Sequence, residues 1–263
     1  LLPGSDDNSK LFAWKYLVGA DLDGLTTRSN IMGDVINSSP AVMNYTSLPS
    51  SVASISPALA NAWSQASASG RSLRQFRLVV VGDNQGFMHG FGEVSWVEPV
   101  VDSSGNTFNL TRAVADELWA FVPTDVLPYI DYFLKTSNPH RYALDGSPTA
   151  YLLDRPQGAK EVIGNGKFDV GSSNEDALII FGLGKGGRSY YALDVKDPGA
   201  PSMRWSLCPD EPSNWPSGRF LMDGGLSGVI SKMGYSTAIP TPARMIFGHP
   251  PLVNDFIFLG GGY

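Results

Sequence analysis

Residues 178–194 read LIIFGLGKGGRSYYALD: an apolar run, a glycine-rich turn and an aromatic run. The same order occurs at 78–91 as LVVVGDNQGFMHGF, and it begins again at 256–263 as FIFLGGGY. Glycine readily adopts the positive φ that tight connections between twisted strands require, so each stretch predicts an antiparallel β-hairpin. A hairpin that recurs along one chain indicates a fold built from repeated small sheets.

Two further features recur beside these hairpins. A polar turn ending in Ser or Thr next to Pro precedes a short apolar alternation at 33–42, at 144–151 and more loosely at 234–240. A tryptophan-bearing strand follows each of the first two hairpins, at 117–122 and 202–207. The predicted order is therefore an opening strand, a hairpin pair and a tryptophan strand.

An all-β fold is the prediction from this repeated order. Four antiparallel strands that recur with unequal insertions are typical of a β-propeller, in which each four-stranded blade packs against its neighbours to bury both faces. We expect a partial set of such blades. A β-sandwich with coincidental glycine turns is the alternative, although sandwiches rarely repeat strand chemistry in the same order.

The predicted domain organisation is an N-terminal lead-in segment at 1–33 and a partial β-propeller at 34–263, with blade starts near residues 37, 145 and 235. A blade usually occupies about 40 to 50 residues, so this longer spacing requires loop or helix insertions. We place the insertions at 47–70, 92–115, 124–140 and 207–233.

Helix signals lie within two of these insertions. Ser56 followed by Pro57 predicts an N-cap and a first helical turn, with a short helix continuing through 58–65. Apolar residues at helical spacing predict a second short helix within 124–139, where Pro128 is compatible only with the first turn.

Composition excludes several classes of protein. The net charge is −6, from 19 Lys and Arg against 25 Asp and Glu, and no basic cluster is present, so a nucleic-acid partner is not expected. The single cysteine, Cys208, rules out an intrachain disulfide and a cysteine-based zinc site. No apolar run has the length of a membrane span. Because the chain begins with Leu, we expect that a signal segment has been removed or that the chain is a fragment.

Catalytic motifs do not emerge from the sequence, and we predict that the protein is not an enzyme. The three histidines are far apart, and no Gly-x-Ser-x-Gly elbow precedes a helix. His89 lies in an alternating strand between two phenylalanines, so we expect a hydrogen-bonded core or rim histidine. Residues 182–187 spell Gly-x-Gly-x-x-Gly, but a strand pattern follows where a dinucleotide site needs a helix.

The tryptophans divide into two groups. Trp119 and Trp205 recur at the same position of the repeat, which favours packing between blades. The others lie in insertions or near the ends of the chain, where exposed aromatic rings are expected to contact a partner; they are Trp14, Trp63, Trp96 and Trp215.

The sequence resembles the PilY1/PilC family of type IV pilus tip adhesins and biogenesis factors, from about residue 16 to residue 263. The strings that carry the resemblance are GDVINSSP at 33–40, VGDNQGFMHGF at 81–91, LWAFVP at 118–123, HRYALDGSPT at 140–149 and GLGKGGRSYYALD at 182–194. Their combination and order are specific, whereas each string alone would be weak.

This resemblance implies a quinoprotein-like propeller that is exported to the cell surface, the pilus tip or the outer membrane. The implied function is non-enzymatic: support of pilus assembly and extension, and adhesion to surfaces through propeller loops. Expected partners are pilin or minor pilin subunits at the pilus tip and a host or abiotic surface. The remainder of the propeller, or another chain, is expected to cover the open blade edges.

Two other functions remain open at this point. A dehydrogenase with a quinone cofactor of the PQQ type uses the same kind of propeller, but it carries an adjacent Cys-Cys disulfide, and the lone Cys208 speaks against it. We therefore expect no organic cofactor. A periplasmic scaffold propeller is the second alternative, and it would lack the long Ser-rich and Pro-rich insertions.

Proteins of this family often carry an EF-hand-like calcium loop in the propeller. That family loop is not matched in this sequence, but an independent candidate spans residues 161–172. Calcium loops take ligands from positions 1, 3, 5, 7, 9 and 12, with Gly at position 6 for the sharp turn. The predicted calcium ligands are Glu161, Asn165, the Lys167 carbonyl, Asp169 and Asp176.

Two positions of this loop do not fit the pattern. Ile163 occupies position 3 and Ser172 occupies position 12, so Glu175 or Asp176 would have to supply the missing carboxylate. The alternative interpretation is an Asn-Gly hairpin turn at 165–166 with solvated carboxylates around it.

Overall fold

The computed structural model describes residues 7–18, 20, 32–133, 138–139, 141–154, 164–209, 232–247 and 252–262. The α-helices of this part are α1 (Asp7–Leu17), α2 (Ser50–Ile55), α3 (Pro57–Gln65) and α4 (Ile130–Phe133). Its strands are β1 (Ala41–Tyr45), β2 (Ser72–Gly82), β3 (Met88–Val101), β4 (Thr107–Phe121), β5 (Thr149–Leu153), β6 (Asp176–Gly182), β7 (Tyr190–Asp194), β8 (Ser202–Leu207), β9 (Thr241–Phe247) and β10 (Leu252–Phe258).

The strands form three antiparallel sheets. The first sheet has the order β1-β2-β3-β4 and the second has the order β5-β6-β7-β8, while β9 and β10 pair as the third. This arrangement confirms the predicted all-β class. In both four-stranded sheets an opening strand, a hairpin pair and a tryptophan strand follow one another in chain order, as the sequence predicts.

A β-bulge recurs at the same place in the first two sheets. In the first sheet Trp119 lies opposite Gly90, and the register shifts at the next position of β3. In the second sheet Trp205 lies opposite Ala192, and the register shifts there too. The two tryptophans therefore occupy equivalent positions beside a bulge, which bends the strand locally.

The helices of the 47–70 insertion form where the sequence predicts them. The Ser56 side chain caps α3 by accepting the Leu59 N–H at 3.2 Å, and it donates to Asp116 on β4 at 2.6 Å. Leu59 and Ala62 are buried against the first sheet. The helix therefore covers one face of that sheet at its outer edge.

The other predicted segments are described to different extents. The lead-in segment contains α1, and 92–115 forms one continuous hairpin of β3 and β4. Within 124–140, a 3₁₀ turn at Leu127–Tyr129 leads into α4. Most of 207–233 lies outside the described residues.

The first and second sheets share one hydrophobic core. The Phe121 ring of β4 lies 6.2 Å from the rings of both Phe181 and Tyr191 in the second sheet. The Trp119 indole donates to the Pro198 carbonyl at 2.9 Å, and the buried Tyr45 hydroxyl donates to the Val195 carbonyl at 2.5 Å. The tryptophan strand of the first sheet therefore packs against its neighbour.

The second sheet meets the third in a similar way. Trp205 and Ile257 pack against one apolar cluster, whose buried members are Leu178, Ile180 and Ala192. The Tyr190 hydroxyl donates to the Gly260 carbonyl at 3.0 Å. The prediction that Trp119 and Trp205 serve packing between sheets is confirmed.

The expectation of exposure is wrong for one of the remaining tryptophans. Trp96 is only 5% exposed, because it is buried in the first sheet and the Arg71 guanidinium lies over its ring. Trp63 is half-buried under Arg74, whereas Trp14 is 54% exposed, as expected. Trp215 lies outside the described residues.

Substitution of Gly90 tests the packing of the tryptophan strand. A Cβ at position 90 would lie 2.2 Å from the Trp119 ring, so Gly90→Ala must displace the indole and break its bond to Pro198. We expect a loss of about 1–3 kcal/mol in the free energy of unfolding, measured by urea denaturation. Gly261→Ala is the control, since a Cβ there meets nothing within 4 Å. Equal stability of the two variants would contradict this packing.

Candidate interaction surfaces

The two copies of the Ser-Pro turn motif contact each other. Asn37 Nδ2 donates to Asp145 Oδ1 at 2.6 Å, and Ser39 N donates to Ser147 Oγ at 3.0 Å. Each pair is separated by 108 residues, which is the spacing of the motif itself. The repeated motif therefore joins the ends of β1 and β5, the opening strands of two neighbouring sheets.

A histidine between two carboxylates lies at the turn end of the first sheet. His89 is 2% exposed, with Nδ1 2.6 Å from Glu117 Oε1 and Nε2 3.1 Å from Asp83 Oδ2. Asp83 also accepts the backbone N–H groups of Gly33 and Phe87, at 2.7 and 2.8 Å. The imidazole thus ties the β2–β3 turn to β4, and the expected hydrogen-bonded core histidine is confirmed.

The carboxylates control the charge of this histidine. Burial alone would lower the pKa of His89, but the hydrogen bonds to Asp83 and then Glu117, with their negative charges, raise it overall. Both ring nitrogens are engaged with these carboxylates. The cluster is therefore suited to holding the turn in place.

The raised pKa of His89 predicts a pH dependence of stability. The folded protein holds the His89 proton to a higher pH than the unfolded chain does, so protonated His89 adds to the free energy of unfolding. That stabilisation is complete below the ordinary pKa of 6.5 and is lost as the pH rises through the folded-state pKa. Between about pH 6 and pH 8, the free energy of unfolding should fall more steeply for the unmodified protein than for His89→Asn. Equal slopes in urea denaturation would contradict the assigned role of this histidine.

The predicted calcium loop is described in part. Asn165 Nδ2 donates to Asp169 Oδ1 at 3.1 Å, and Asn165 Oδ1 accepts the Lys167 N–H at 2.8 Å. Gly166 has a φ of 75°, which allows the sharp turn between them. The structure therefore brings Asn165, Lys167 and Asp169 together. Glu161 lies outside the described residues.

Of the two further carboxylates, Glu175 faces this turn. It accepts the Asp169 N–H at 2.8 Å and is 2% exposed. Asp176 begins β6, and its carboxylate lies 3.4 Å from the Lys196 ammonium group. Asp176 is therefore engaged in an ion pair with Lys196.

Asp154 is a residue of this region that the sequence did not indicate. It accepts the Gly166 N–H through Oδ2, while its buried Oδ1 has no hydrogen-bond partner among the described residues. It directly follows β5, and the spacing of the candidate loop gives no signal for it. Within the part of the chain that the structure describes, no three acidic, His or Cys side chains form a group that could hold a metal ion.

The hairpin of β3 and β4 continues from the last residue paired with β2 as an exposed arm, which we define as residues 97–111. Val101 is 63% exposed and Phe108 is 47% exposed. Asp102 closes the tip by accepting the N–H groups of Ser104 and Asn106, at 2.9 and 2.8 Å. These hydrogen bonds, with that from Asn106 first, lower the pKa of Asp102. The arm presents apolar side chains on an ordered tip.

The base of the arm is held by charges around Trp96. Glu98 accepts hydrogen bonds from Arg112 at 2.8 Å and from the Trp96 indole at 3.2 Å, and it lies 2.9 Å from Arg71. Arg112 and then Trp96 lower the pKa of Glu98 through these hydrogen bonds. Since β4 is the last strand in the order of its sheet, its outer edge is not paired with any described strand.

Repeated antiparallel sheets joined through their faces define the chain as an all-β repeat protein. It is 27% identical over 247 residues to the type IV pilus biogenesis factor PilY1 of Pseudomonas aeruginosa strain UCBPP-PA14, covering 92% of this chain and 16% of that protein. A PilY1 homolog of Xylella fastidiosa strain Temecula1 is 28% identical over 182 residues, covering 69% of this chain and 12% of the homolog. These matches support membership of the PilY1 family, as the resemblance predicts.

One solved structure is also similar to part of this chain. The crystal structure of the Pseudomonas aeruginosa PilY1 C-terminal domain aligns with 78% of this chain and 29% of that chain, at 21% identity and a TM-score of 0.33. No family model matches the sequence. Among the helices of the described residues, none has both the length and the apolar character needed to cross a membrane.

Proposed function

We propose that this chain is a non-enzymatic module of a type IV pilus biogenesis factor that supports pilus assembly and extension. The observation that carries the proposal is the similarity to PilY1 over 92% of the chain. PilY1 itself is named a type IV pilus biogenesis factor, and the chain spans only 16% of its length. The role of the whole protein therefore belongs to the proposal, as does its export to the cell surface, pilus tip or outer membrane.

The proposed architecture is a partial β-propeller. Contacts between consecutive sheets support this architecture. Each tryptophan strand packs against the following sheet, and Asn37 and Asp145 link equivalent ends of two opening strands. A radial arrangement places equivalent positions of neighbouring blades next to each other, as this contact at a spacing of 108 residues does. Further blades, from the same chain or another, would cover the outer sheets.

Adhesion and pilin binding are proposed for the loops and the arm, since the sheets themselves are buried against each other. Val101 and Phe108 give the arm exposed apolar groups of the kind that partner proteins bury. The proposed partners are pilin or minor pilin subunits at the pilus tip, together with a host or abiotic surface.

A deletion of the gene in the source bacterium tests the biogenesis role. We expect loss of surface pili and of twitching motility, with recovery on complementation by the unmodified gene. Pili that persist at normal number in the deletion strain would overturn the biogenesis proposal.

The same strain tests the role of the arm. Complementation with the double variant Val101→Ser, Phe108→Ser is expected to restore pili but to reduce attachment to a solid surface several-fold, because it removes exposed apolar area without touching the core. Val42→Ser is the control, since Val42 is 45% exposed on β1, away from the arm. If cells that carry the arm variant attach as well as cells that carry Val42→Ser, the arm is not part of the adhesive surface.

Calcium binding at the 165–169 turn is a further part of the proposal. Asn165 and Asp169 contact each other in this turn, Glu175 accepts the Asp169 N–H, and the buried Oδ1 of Asp154 would be a further oxygen ligand of the type that calcium prefers. Since the acidic side chains that the structure describes are not grouped as a metal site, calcium would have to draw them closer together. A bound ion would stabilise the folded state by mass action.

Removal of one carboxylate tests this site. We expect calcium to raise the thermal midpoint of the unmodified protein modestly, and Asp169→Ala to abolish that rise. Magnesium is the comparison ion. Asp34→Ala is the control, because Asp34 is exposed and precedes the start of β1, whereas the turn contacts the other end of that strand. A midpoint that does not respond to calcium in the unmodified protein would remove the site.

A further inference from the structure

Exposed cations lie over tyrosine rings at the loop end of the first two sheets. The Arg141 guanidinium carbon is 3.9 Å from the centre of the Tyr129 ring and 5.8 Å from that of Tyr132, and the Lys185 ammonium is 4.8 Å from the Tyr142 ring. We call these five residues the tyrosine–cation patch. None of them enters the proposed calcium turn, the arm or the His89 cluster.

Two loops of the fold bring the patch together. The turn between β6 and β7 packs directly on the 141–143 segment, since a Cβ at Gly186 would lie 1.9 Å from the Ala143 carbonyl oxygen. Tyr132 is fixed by its hydroxyl, which donates to the Pro139 carbonyl at 2.7 Å. Tyr132 and the 141–143 segment are therefore held by backbone contacts before any partner binds.

The charges of the patch are not neutralised within the described part of the chain. Arg141 and Lys185 are exposed, and no described carboxylate forms an ion pair with either of them. Other arginines differ: Arg77, Arg112 and Arg244 each pair with a carboxylate at 2.7 to 2.9 Å. The tyrosine–cation patch is therefore an exposed, positively charged site on a chain whose net charge is −6.

We propose that the tyrosine–cation patch binds an acidic segment of a partner protein through its side-chain carboxylates. The Arg141 guanidinium lies over the Tyr129 ring and forms no ion pair with a described carboxylate. A guanidinium can bind a carboxylate through two parallel hydrogen bonds. Since Tyr129 already restricts the side chain, less conformational entropy is lost on binding. This inference uses the surface alone and does not depend on the proposed pilus role.

The geometry favours an acidic peptide over an acidic polysaccharide. Sugars bind aromatic residues by stacking on open ring faces, whereas here a cation already covers one face of Tyr129 and one face of Tyr142. The groups presented to a partner are therefore hydrogen-bond donors with positive charge. Carboxylates on a flexible peptide can reach both Arg141 and Lys185.

Fluorescence anisotropy with a labelled peptide of alternating Glu and Ser residues tests the proposal on the full 263-residue chain. We expect salt-sensitive binding that weakens at least about 10-fold in the double variant Arg141→Ala, Lys185→Ala. The matched control is Lys196→Ala, Arg204→Ala, which removes two cations that already face Asp194 and should bind within about twofold of the unmodified protein.

Arg141→Lys is the second variant, and it serves also if the alanine variant fails to fold. It keeps the charge but loses the planar fork, so we expect peptide binding to weaken about threefold or more. Three results with the peptide would overturn the proposal: no binding by the unmodified chain, equal losses in both double variants, or unchanged binding in Arg141→Lys. Tighter binding of a polyuronate than of the peptide, lost in the same variants, would also overturn it and assign the patch to polysaccharide.

Discussion

Packing of one sheet's tryptophan strand on the next sheet is the contact on which the rest of the structure depends. A single four-stranded sheet carries apolar side chains on both faces and is too small to bury them alone. The second sheet shows this directly, because Phe181 and Tyr191 lie against the first sheet while Ile180 and Ala192 belong to the cluster that includes Ile257. The second sheet therefore buries apolar side chains on both of its faces, in one cluster shared with the first sheet and a separate cluster shared with the third.

Polar contacts fix how the sheets are oriented on this core. Asp125 accepts the Tyr191 hydroxyl at 2.9 Å and also the Ser189 hydroxyl, which ties the segment after β4 to the second sheet. Burial, with the negative charge of Asp125, raises the pKa of Cys208 beside this network to about 11, so the thiol is kept protonated and poorly nucleophilic. Apolar burial supplies the stability of the junction, and such buried polar pairs make one relative position of the sheets better than the others.

Local patterns made most of the fold predictable, whereas contacts between distant segments did not. Gly turns, the Ser56 cap and the recurring tryptophans act within a few residues or by repetition, so the sequence alone indicates them. The exposure of Trp96 was mispredicted because Arg71, which directly precedes β2, reaches its ring only after β2 and β3 pair. Asp154 could not be found for the same reason: it reaches the Gly166 turn from another strand, and no fixed spacing joins the two.

The placement of the exposed surfaces follows from the length of β3. This strand begins beside a turn that packs near Val126 and Ala143, and the tyrosine–cation patch lies at the same end of the sheets. The strand finishes at the tip of the arm. With a rise of about 3.3 Å per residue, its two ends are about 45 Å apart. A rigid strand thus separates an apolar tip from a positively charged surface. The two surfaces proposed for partners of different chemistry therefore lie at opposite ends of one strand.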